Sequence, residues 1–159
     1  MRYLIILNII TPKVWEIVLS FSFVEVNKNN DTHIKYLYHL LKKRDFNISH
    51  DNVPDYYNHK EFVLNNKYRK WHFIYKNNNL IGSYYITFEN HIGLNLSVSD
   101  VNDYVYLLKK ILSKNKPLTE IKSERNKSFL INISPNNKQF INAMKLLNFE
   151  HIQNTYLCN

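Results

Sequence analysis

Three runs of aromatic and β-branched residues follow one another closely, and this succession constrains the fold more than any other feature of the chain. The runs cover residues 71–75, 80–88 and 91–98, with short polar clusters between them. Runs of this kind joined by tight turns predict an antiparallel meander of three strands. The third run leads into an amphipathic segment that begins at Asp100, so the meander delivers the chain into a helix.

The sequence on either side of the meander predicts the remaining elements. Period-two alternation over 21–26 indicates a strand, and helical spacing indicates helices from Ile34 to Lys43 and from Pro54 onward. The C-terminal part predicts, in order, a helix over 102–113, a strand over 129–133, a helix closed by a left-handed Asn148, and paired strands over 149–153 and 155–157. The order β-α-α-β-β-β-α-β-α-β-β predicts an α+β fold with a mixed, mostly antiparallel sheet.

The length of 159 residues favours one domain with a substantial core. We predict that this domain covers residues 21–159 and that residues 1–20 form an N-terminal extension. The apolar run at the start of the chain is interrupted at Pro12 and is too short to span a bilayer, so no stable membrane insertion is expected. The single cysteine, Cys158, excludes an internal disulfide and fits a cytoplasmic protein.

The net charge of +8 favours an anionic ligand. The basic residues are scattered and form no long run, which makes nucleic acid an unlikely partner, whereas a phosphorylated small molecule explains the charge at least as well. The seven histidines show neither HxxH nor HExxH spacing, so no metal is expected. The sequence leaves the oligomeric state open.

Residues 132–137, followed by Phe140 and then Leu147-Asn148-Phe149, resemble the C-terminal strand, capped helix and closing turn of the GNAT N-acetyltransferase superfamily. The likeness extends over about 21–157. Segments 47–50 and 68–71 are similar to a subgroup of surface-glycan and sugar-nucleotide acetyltransferases. The resemblance implies a GNAT-like sheet with helices on both faces. It also implies transfer of an acetyl group from acetyl-CoA, as co-substrate, to a primary amine of a small molecule, for which an amino-sugar nucleotide is one candidate.

The resemblance also implies where the coenzyme binds. The fourth strand should splay from the fifth, so that pantetheine contacts backbone groups of Leu94, Asn95 and Leu96. Asn132 and Asn137 should lie beside the thioester. The pyrophosphate should sit on the amides at the start of the third helix, where the helix dipole favours anions, that is on Val101, Asn102, Asp103, Tyr104, Val105 and Tyr106.

Acetylation of an amine needs a general base and, for the departing thiolate, a proton donor. His91 stands where the subgroup carries a glutamate and is the candidate base, although an exposed turn histidine is the alternative. Met144 occupies the usual position of a tyrosine acid, which leaves Tyr156 as a replacement unless it only packs in a terminal strand. His50, His59 and Arg69 are the candidates for an acceptor pocket, with helix packing or solvation as the alternative for the last two.

Two departures from the pattern favour another function. Tyr104 and Tyr106 replace the glycines of the phosphate loop, where side chains should obstruct the approach of phosphate to backbone. Asp100 and Asp103 are spaced as an N-cap and N3 pair that can satisfy the free amides internally. The alternative to an enzyme is therefore a catalytically degenerate GNAT-fold binding or scaffold protein.

Overall fold

A computed structural model describes residues 20–46, 52–97 and 100–156 of the chain. One five-stranded sheet has the order β1-β2-β3-β4-β5, and every neighbouring pair is antiparallel except β4 and β5, which are parallel. The strands are β1 (Phe21–Glu25), β2 (Lys70–Lys76), β3 (Asn79–Ile86), β4 (His91–Leu96) and β5 (Leu130–Ile131). The helices are α1 (Asp31–Lys42), α2 (Tyr56–Asn65), α3 (Val101–Lys114) and α4 (Lys138–Leu146).

Helices pack on both faces of this sheet and form two separate cores. On what we call the closed face, α3 and α4 bury strand residues such as Ile74, Ile86 and Ile92. On what we call the open face, α1 and α2 pack over Phe73 and Trp71. The predicted α+β class, with a mixed, mostly antiparallel sheet covered by helices on both faces, is confirmed.

Asparagine makes the tight turns of the meander, as its tolerance of left-handed backbone leads one to expect. Asn77 and Asn78 between β2 and β3 have φ of 50° and 65°, and Asn90 before β4 has φ of 64°. Asn148 follows α4 with φ of 54°. There the amide of Phe149 donates to Met144 and that of Asn148 donates to Lys145, which is the hydrogen-bond pattern of a Schellman cap.

Asn90 also fixes the point at which β5 joins the sheet. Its fully buried side chain donates to the carbonyls of Leu118 and Asn126 and accepts from the Leu118 amide. Its own carbonyl accepts a hydrogen bond from the Leu130 amide at the start of β5. The loop after α3 is thereby tied to the β3–β4 turn, and β5 meets β4 at the beginning of that strand.

The predicted pair of C-terminal strands is wrong over the part that the structure describes. Residues 149–156 form no strand, and Leu157 lies outside the described residues. Ile152 and Tyr156 are 58% and 80% exposed, so neither side chain has a sheet or helix to pack on. The alternation of apolar and polar residues there lacks a partner strand, because β5 is only two residues long. The predicted extension also lies outside the described residues, except for Ser20.

Candidate functional site

The second half of β4 has an open edge. β5 pairs with β4 only at His91 and Ile92, and no described strand continues that pairing. On its other edge, β4 pairs with β3 along its whole length. Hydrogen bonds from the Thr87 amide to the His91 carbonyl and from the Ser97 amide to the Ile81 carbonyl fix which β4 residues direct their backbone groups toward β3. The backbone groups of Leu94 and Leu96 therefore face the open edge. This unpaired edge lies where the resemblance implies that the fourth and fifth strands diverge.

A cavity of about 420 Å³ lies on the open face and reaches the end of β4. Its lining comes from α1, α2, β2, β3 and the residues Asn95, Leu96 and Ser97. Volumes in this range are typical of sites for small molecules. The cavity therefore reaches the last residues of β4, and α3 begins shortly after them in the chain.

His59 lines the cavity from α2 and is 5% exposed. Its Nε2 lies 3.3 Å from the carbonyl oxygen of Ile34, and its ring packs against Tyr38. Burial lowers the pKa of His59 below its ordinary value, and the hydrogen bond to Ile34 opposes that effect only in part. The ring is therefore neutral at neutral pH, with Nε2 donating and Nδ1 left as an acceptor.

Arg44 lines the same cavity, and the sequence analysis missed it. Burial lowers the pKa of its guanidinium, and the neighbouring Tyr85 and Tyr68 oppose this. The two tyrosine rings stack with centroids 4.0 Å apart. The only sequence signal was a basic residue just beyond Leu41, the last apolar residue of the α1 pattern, and many helices end that way.

The tyrosines also explain a glycine in β4. A Cβ at Gly93 would lie 2.1–2.5 Å from the Tyr85 ring, so only glycine leaves room for that ring on the open face. His91 and Asn95 lie on the same side of β4 as Gly93, because alternate residues of a strand share a face. The Tyr85 ring therefore stands between His91 and the part of the cavity lined by Asn95.

At the start of α3, most of the predicted phosphate-binding amides are already used. Asp100 caps the helix by accepting from the Asp103 amide at 2.9 Å, and its carbonyl accepts from Tyr104. The amides of Val105 and Tyr106 lie inside the helix. The amides of Val101 and Asn102 make no hydrogen bond within the described part of the chain, which leaves two donors for an anion.

The Asp103 carboxylate does not complete a capping box, contrary to the expectation. It accepts two hydrogen bonds from Lys76 Nζ, at 2.7 and 2.9 Å, and its side chain is 6% exposed. The expectation that Tyr104 obstructs phosphate is also wrong, because its ring is buried against Phe140 with centroids 4.3 Å apart. Tyr106 is 46% exposed and stacks on Phe21. The Tyr104 and Tyr106 rings therefore stack on Phe140 and Phe21, respectively.

Val101 and Asn102, the residues with the two free amides, border a shallow groove between α3 and α4. It is lined by Val101 and Asn102 from α3 and by Asn142, Lys145 and Leu146 from α4. Lys145 brings a positive charge to the end of the helix that already carries a partial positive charge. Both favour an anion, and no carboxylate is among the residues that line the groove.

The other predicted residues are distributed over the molecule. His91 and Asn132 lie together, with His91 Nδ1 3.3 Å from Asn132 Nδ2, but neither lines the cavity. The Asn137 side chain caps α4 through the Phe140 amide and donates to the Tyr104 hydroxyl, so its polar atoms are engaged. His50, another residue predicted for the acceptor pocket, lies outside the described residues.

Arg69 and Tyr156 lie away from the cavity lining. Arg69 donates to the Lys116 carbonyl and its guanidinium lies 5.7 Å from the centroid of the Phe129 ring. Tyr156 is exposed and makes no hydrogen bond with another described residue. Of the residues predicted for the acceptor pocket, His59 lines the cavity. The arginine that lines it together with His59 is Arg44, not Arg69.

Over residues 20–46, 52–97 and 100–156, no three histidine, cysteine or acidic residues are grouped as metal ligands. The helices of those residues include none with the length and apolar character to cross a bilayer.

Comparison with known proteins gave a match among the solved structures. No protein-family model matches the chain, and no curated protein matches it. A solved structure, described as the crystal structure of a possible acetyltransferase from Clostridium difficile 630, is similar at 15% sequence identity and a TM-score of 0.48. The match covers 87% of this chain and 97% of that chain.

Proposed function

We propose that this protein is an acetyl-CoA-dependent N-acetyltransferase that acetylates a primary amine of a small molecule. The observation that carries the proposal is that a cavity of small-molecule size is lined by Asn95, Leu96 and Ser97 at the end of β4, beside the edge of that strand that no described strand pairs with. An extended pantetheine arm hydrogen-bonds to the free backbone groups of Leu94 and Leu96, as a peptide strand does at a sheet edge. An acceptor amine in the cavity then lies beside the thioester.

In this proposal the pyrophosphate binds in the groove at the start of α3. The amides of Val101 and Asn102 donate to it, and Lys145 neutralises part of its charge. The net charge of +8 favours the approach of a highly anionic coenzyme. With two free amides and no glycine loop, we expect weaker binding than a full phosphate loop would give.

The chemistry is a direct displacement at the thioester. The amine nitrogen attacks the acetyl carbonyl carbon, the C–S bond breaks, the amine loses a proton to a base, and the thiolate gains one. Neutral His59 lies in the cavity with Nδ1 as an acceptor and is one candidate base. His91, the base that the sequence predicts, remains a second candidate, with Asn132 as its neighbour.

Calorimetric titration with acetyl-CoA tests the coenzyme site. We expect Lys145→Gln to weaken binding by about threefold to tenfold, as loss of one favourable charge contact would. Lys109→Gln removes the same charge from the exposed side of α3 and should leave affinity unchanged. No heat of binding at millimolar acetyl-CoA, or equal losses in the two variants, would contradict the proposed site.

Release of free CoA thiol in the presence of amine acceptors tests the reaction. Loss of at least tenfold in kcat on His59→Ala, with His91→Ala near wild type, would assign the base to the cavity. The reverse result would assign it to His91. His39→Ala changes an exposed histidine of α1 and serves as the control.

The capped start of α3 favours a second function, that of a non-catalytic binding or scaffold protein with the same fold. Asp100 already occupies the amide of Asp103 and places a carboxylate near the proposed pyrophosphate. Asp100→Asn retains a capping side chain and removes the charge. If wild-type protein binds no acetyl-CoA and this variant also binds none, the scaffold function is supported.

A further inference from the structure

We propose that the open-face cavity recognises an acceptor whose amine is accompanied by a carboxylate or phosphate group, and that Arg44 binds this anion. Calling the ligand an acceptor rests on the proposed function, whereas anion binding by Arg44 does not. Among the described residues, the lining has one formally charged side chain, that of Arg44, and includes no aspartate or glutamate. A cavity with this charge distribution selects against a simple cationic amine and favours one that also carries a negative charge.

The Arg44 guanidinium has no anionic partner within the described part of the chain. The ion pairs found there are Lys60–Asp31 and Lys76–Asp103, and neither involves the cavity. The Nε of Arg44 is buried and makes no hydrogen bond to a described residue. The two terminal nitrogens of Arg44 also donate to no described residue, and they are less deeply buried than its Nε. A planar guanidinium with free terminal donors suits a bidentate carboxylate or phosphate.

Two further side chains of the lining, those of Trp71 and Tyr68, carry hydrogen-bond donors. The indole Nε1 of Trp71 is buried without a hydrogen-bond partner in the described residues. Burial raises the pKa of Tyr68 far above its ordinary value, so its hydroxyl stays protonated beside the guanidinium. The Tyr68–Tyr85 stack supplies a flat wall next to Arg44. Unpaired donors around a cation call for a ligand that brings oxygen acceptors.

The direct test uses the full chain and simple anions without coenzyme. Inorganic phosphate and, separately, acetate are titrated while the Arg Nε–Hε signals are followed by NMR, with Arg44→Gln used to assign its signal. We expect one of the two anions to shift the Arg44 signal saturably. The indole Nε1–H signal of Trp71, which lines the cavity and is present in every variant, should then show that Arg44→Gln weakens that binding about tenfold. Arg69→Gln removes the same charge from a residue outside the lining and should leave the affinity unchanged. Equal losses in both variants, or no shift with either anion, would overturn the proposal.

A second measurement links the anion to the acceptor. Three amines with one skeleton are compared as ligands and as acetyl acceptors: 4-aminobutan-1-ol, 4-aminobutanoate and 4-aminobutyl phosphate. We expect Arg44→Gln to lower kcat/KM about tenfold for the preferred amine that carries an anionic group and to leave that for 4-aminobutan-1-ol within twofold. Preference for 4-aminobutanoate or for 4-aminobutyl phosphate decides between carboxylate and phosphate. Equal use of the three amines by wild-type protein would overturn the proposal.

Asp51 supplies a further control, since it lies in the segment outside the described residues. If Arg44 binds the ligand anion, Asp51→Asn should leave anion affinity unchanged or increase it, because it removes a negative charge. Loss of anion binding in Asp51→Asn would contradict the assignment to Arg44. Failure of the anion titrations alongside normal acetyl-CoA binding would reject this proposal and leave the proposed function standing.

Discussion

The two faces of the sheet differ in how completely they are filled. Among the described residues, twelve buried residues form one continuous core on the closed face, under α3 and α4. Five form the core on the open face, under α1 and α2, and a cavity of about 420 Å³ lies beside it. Since protein interiors are normally packed without voids of that size, the described part of the open face is the less completely packed of the two. We therefore expect the closed face to contribute more to the stability of the fold, and we propose that the open face determines which ligand binds.

Matched leucine truncations should show the largest difference between the faces. Leu107 is fully buried in the closed core, so Leu107→Ala should lower the free energy of unfolding by about 2–5 kcal/mol. Leu40 is half-buried at the cavity wall, and Leu40→Ala should cost about 1 kcal/mol because little new cavity forms. Urea denaturation measures both. Equal losses would mean that the open face is as closely packed as the other.

The two glycines of the chain provide the next comparison. A Cβ at Gly82 would lie 2.2 Å from the Asn95 carbonyl oxygen, which is backbone and cannot move aside, so Gly82→Ala should cost about 3 kcal/mol or more. A Cβ at Gly93 would meet the outer atoms of the Tyr85 ring, which can swing into the cavity, and Gly93→Ala should cost about 1–2 kcal/mol. Adding Tyr85→Ala should remove most of the Gly93→Ala cost. No such rescue is expected for Gly82→Ala.

Each face also has one ion pair among the described residues, and the two pairs should differ in strength. Asp103 is buried on the closed face and accepts two hydrogen bonds from Lys76, so Asp103→Asn should cost about 1–3 kcal/mol. Asp31 pairs with Lys60 in solvent, with side chains 71% and 38% exposed, and Asp31→Asn should cost less than about 1 kcal/mol. Thermal unfolding at low and high salt measures this. A salt-sensitive Asp103 pair and a salt-insensitive Asp31 pair would contradict it.

The smallest expected effect concerns one histidine on each face. Burial holds the pKa of His59, on the open face, and of His72, on the closed face, below the ordinary value of 6.5. The unfolded chain therefore binds protons that the folded chain does not, and stability should fall as pH drops below about 6.5. The difference between the melting temperatures at pH 7.5 and pH 5.5 should be smaller in the His59→Asn and His72→Asn variants than in the wild-type protein. Phosphate should reduce the pH dependence through His59 and not through His72, if the cavity binds an anion.

Much of the fold was predictable because it depends on local patterns. The meander, the helix starts at Asp55 and Asp100, and the left-handed Asn148 were all predicted from residue type and spacing, and the structure contains each of them. The prediction of terminal strands was wrong, since alternation over 149–156 does not show whether a partner strand is available. β5 illustrates the same limit, because the position at which it meets β4 depends on Asn90, whose contacts come from residues about 30 positions away.

The site was predictable only in part. His59 was a candidate for the acceptor pocket, with helix packing as the alternative, and it does line the cavity. Arg44 was missed, and Arg69 was proposed in its stead, because nothing local tells one arginine that faces a cavity from another that packs on Phe129. Similarly, Tyr104 was expected to cover the start of α3, yet its ring packs against Phe140 in the closed core. Side-chain direction depends on neighbours that are distant in sequence.

By itself, the sequence determined the element order, the turns and the amphipathic helices, because hydrophobic periodicity and backbone preference act over a few residues at a time. Only the tertiary structure decided which face of the sheet is filled, where β4 loses its partner, and which cation stands beside the cavity. Those features arise from packing between elements far apart in the chain, and the free energy of such packing depends on shapes that a linear pattern does not encode.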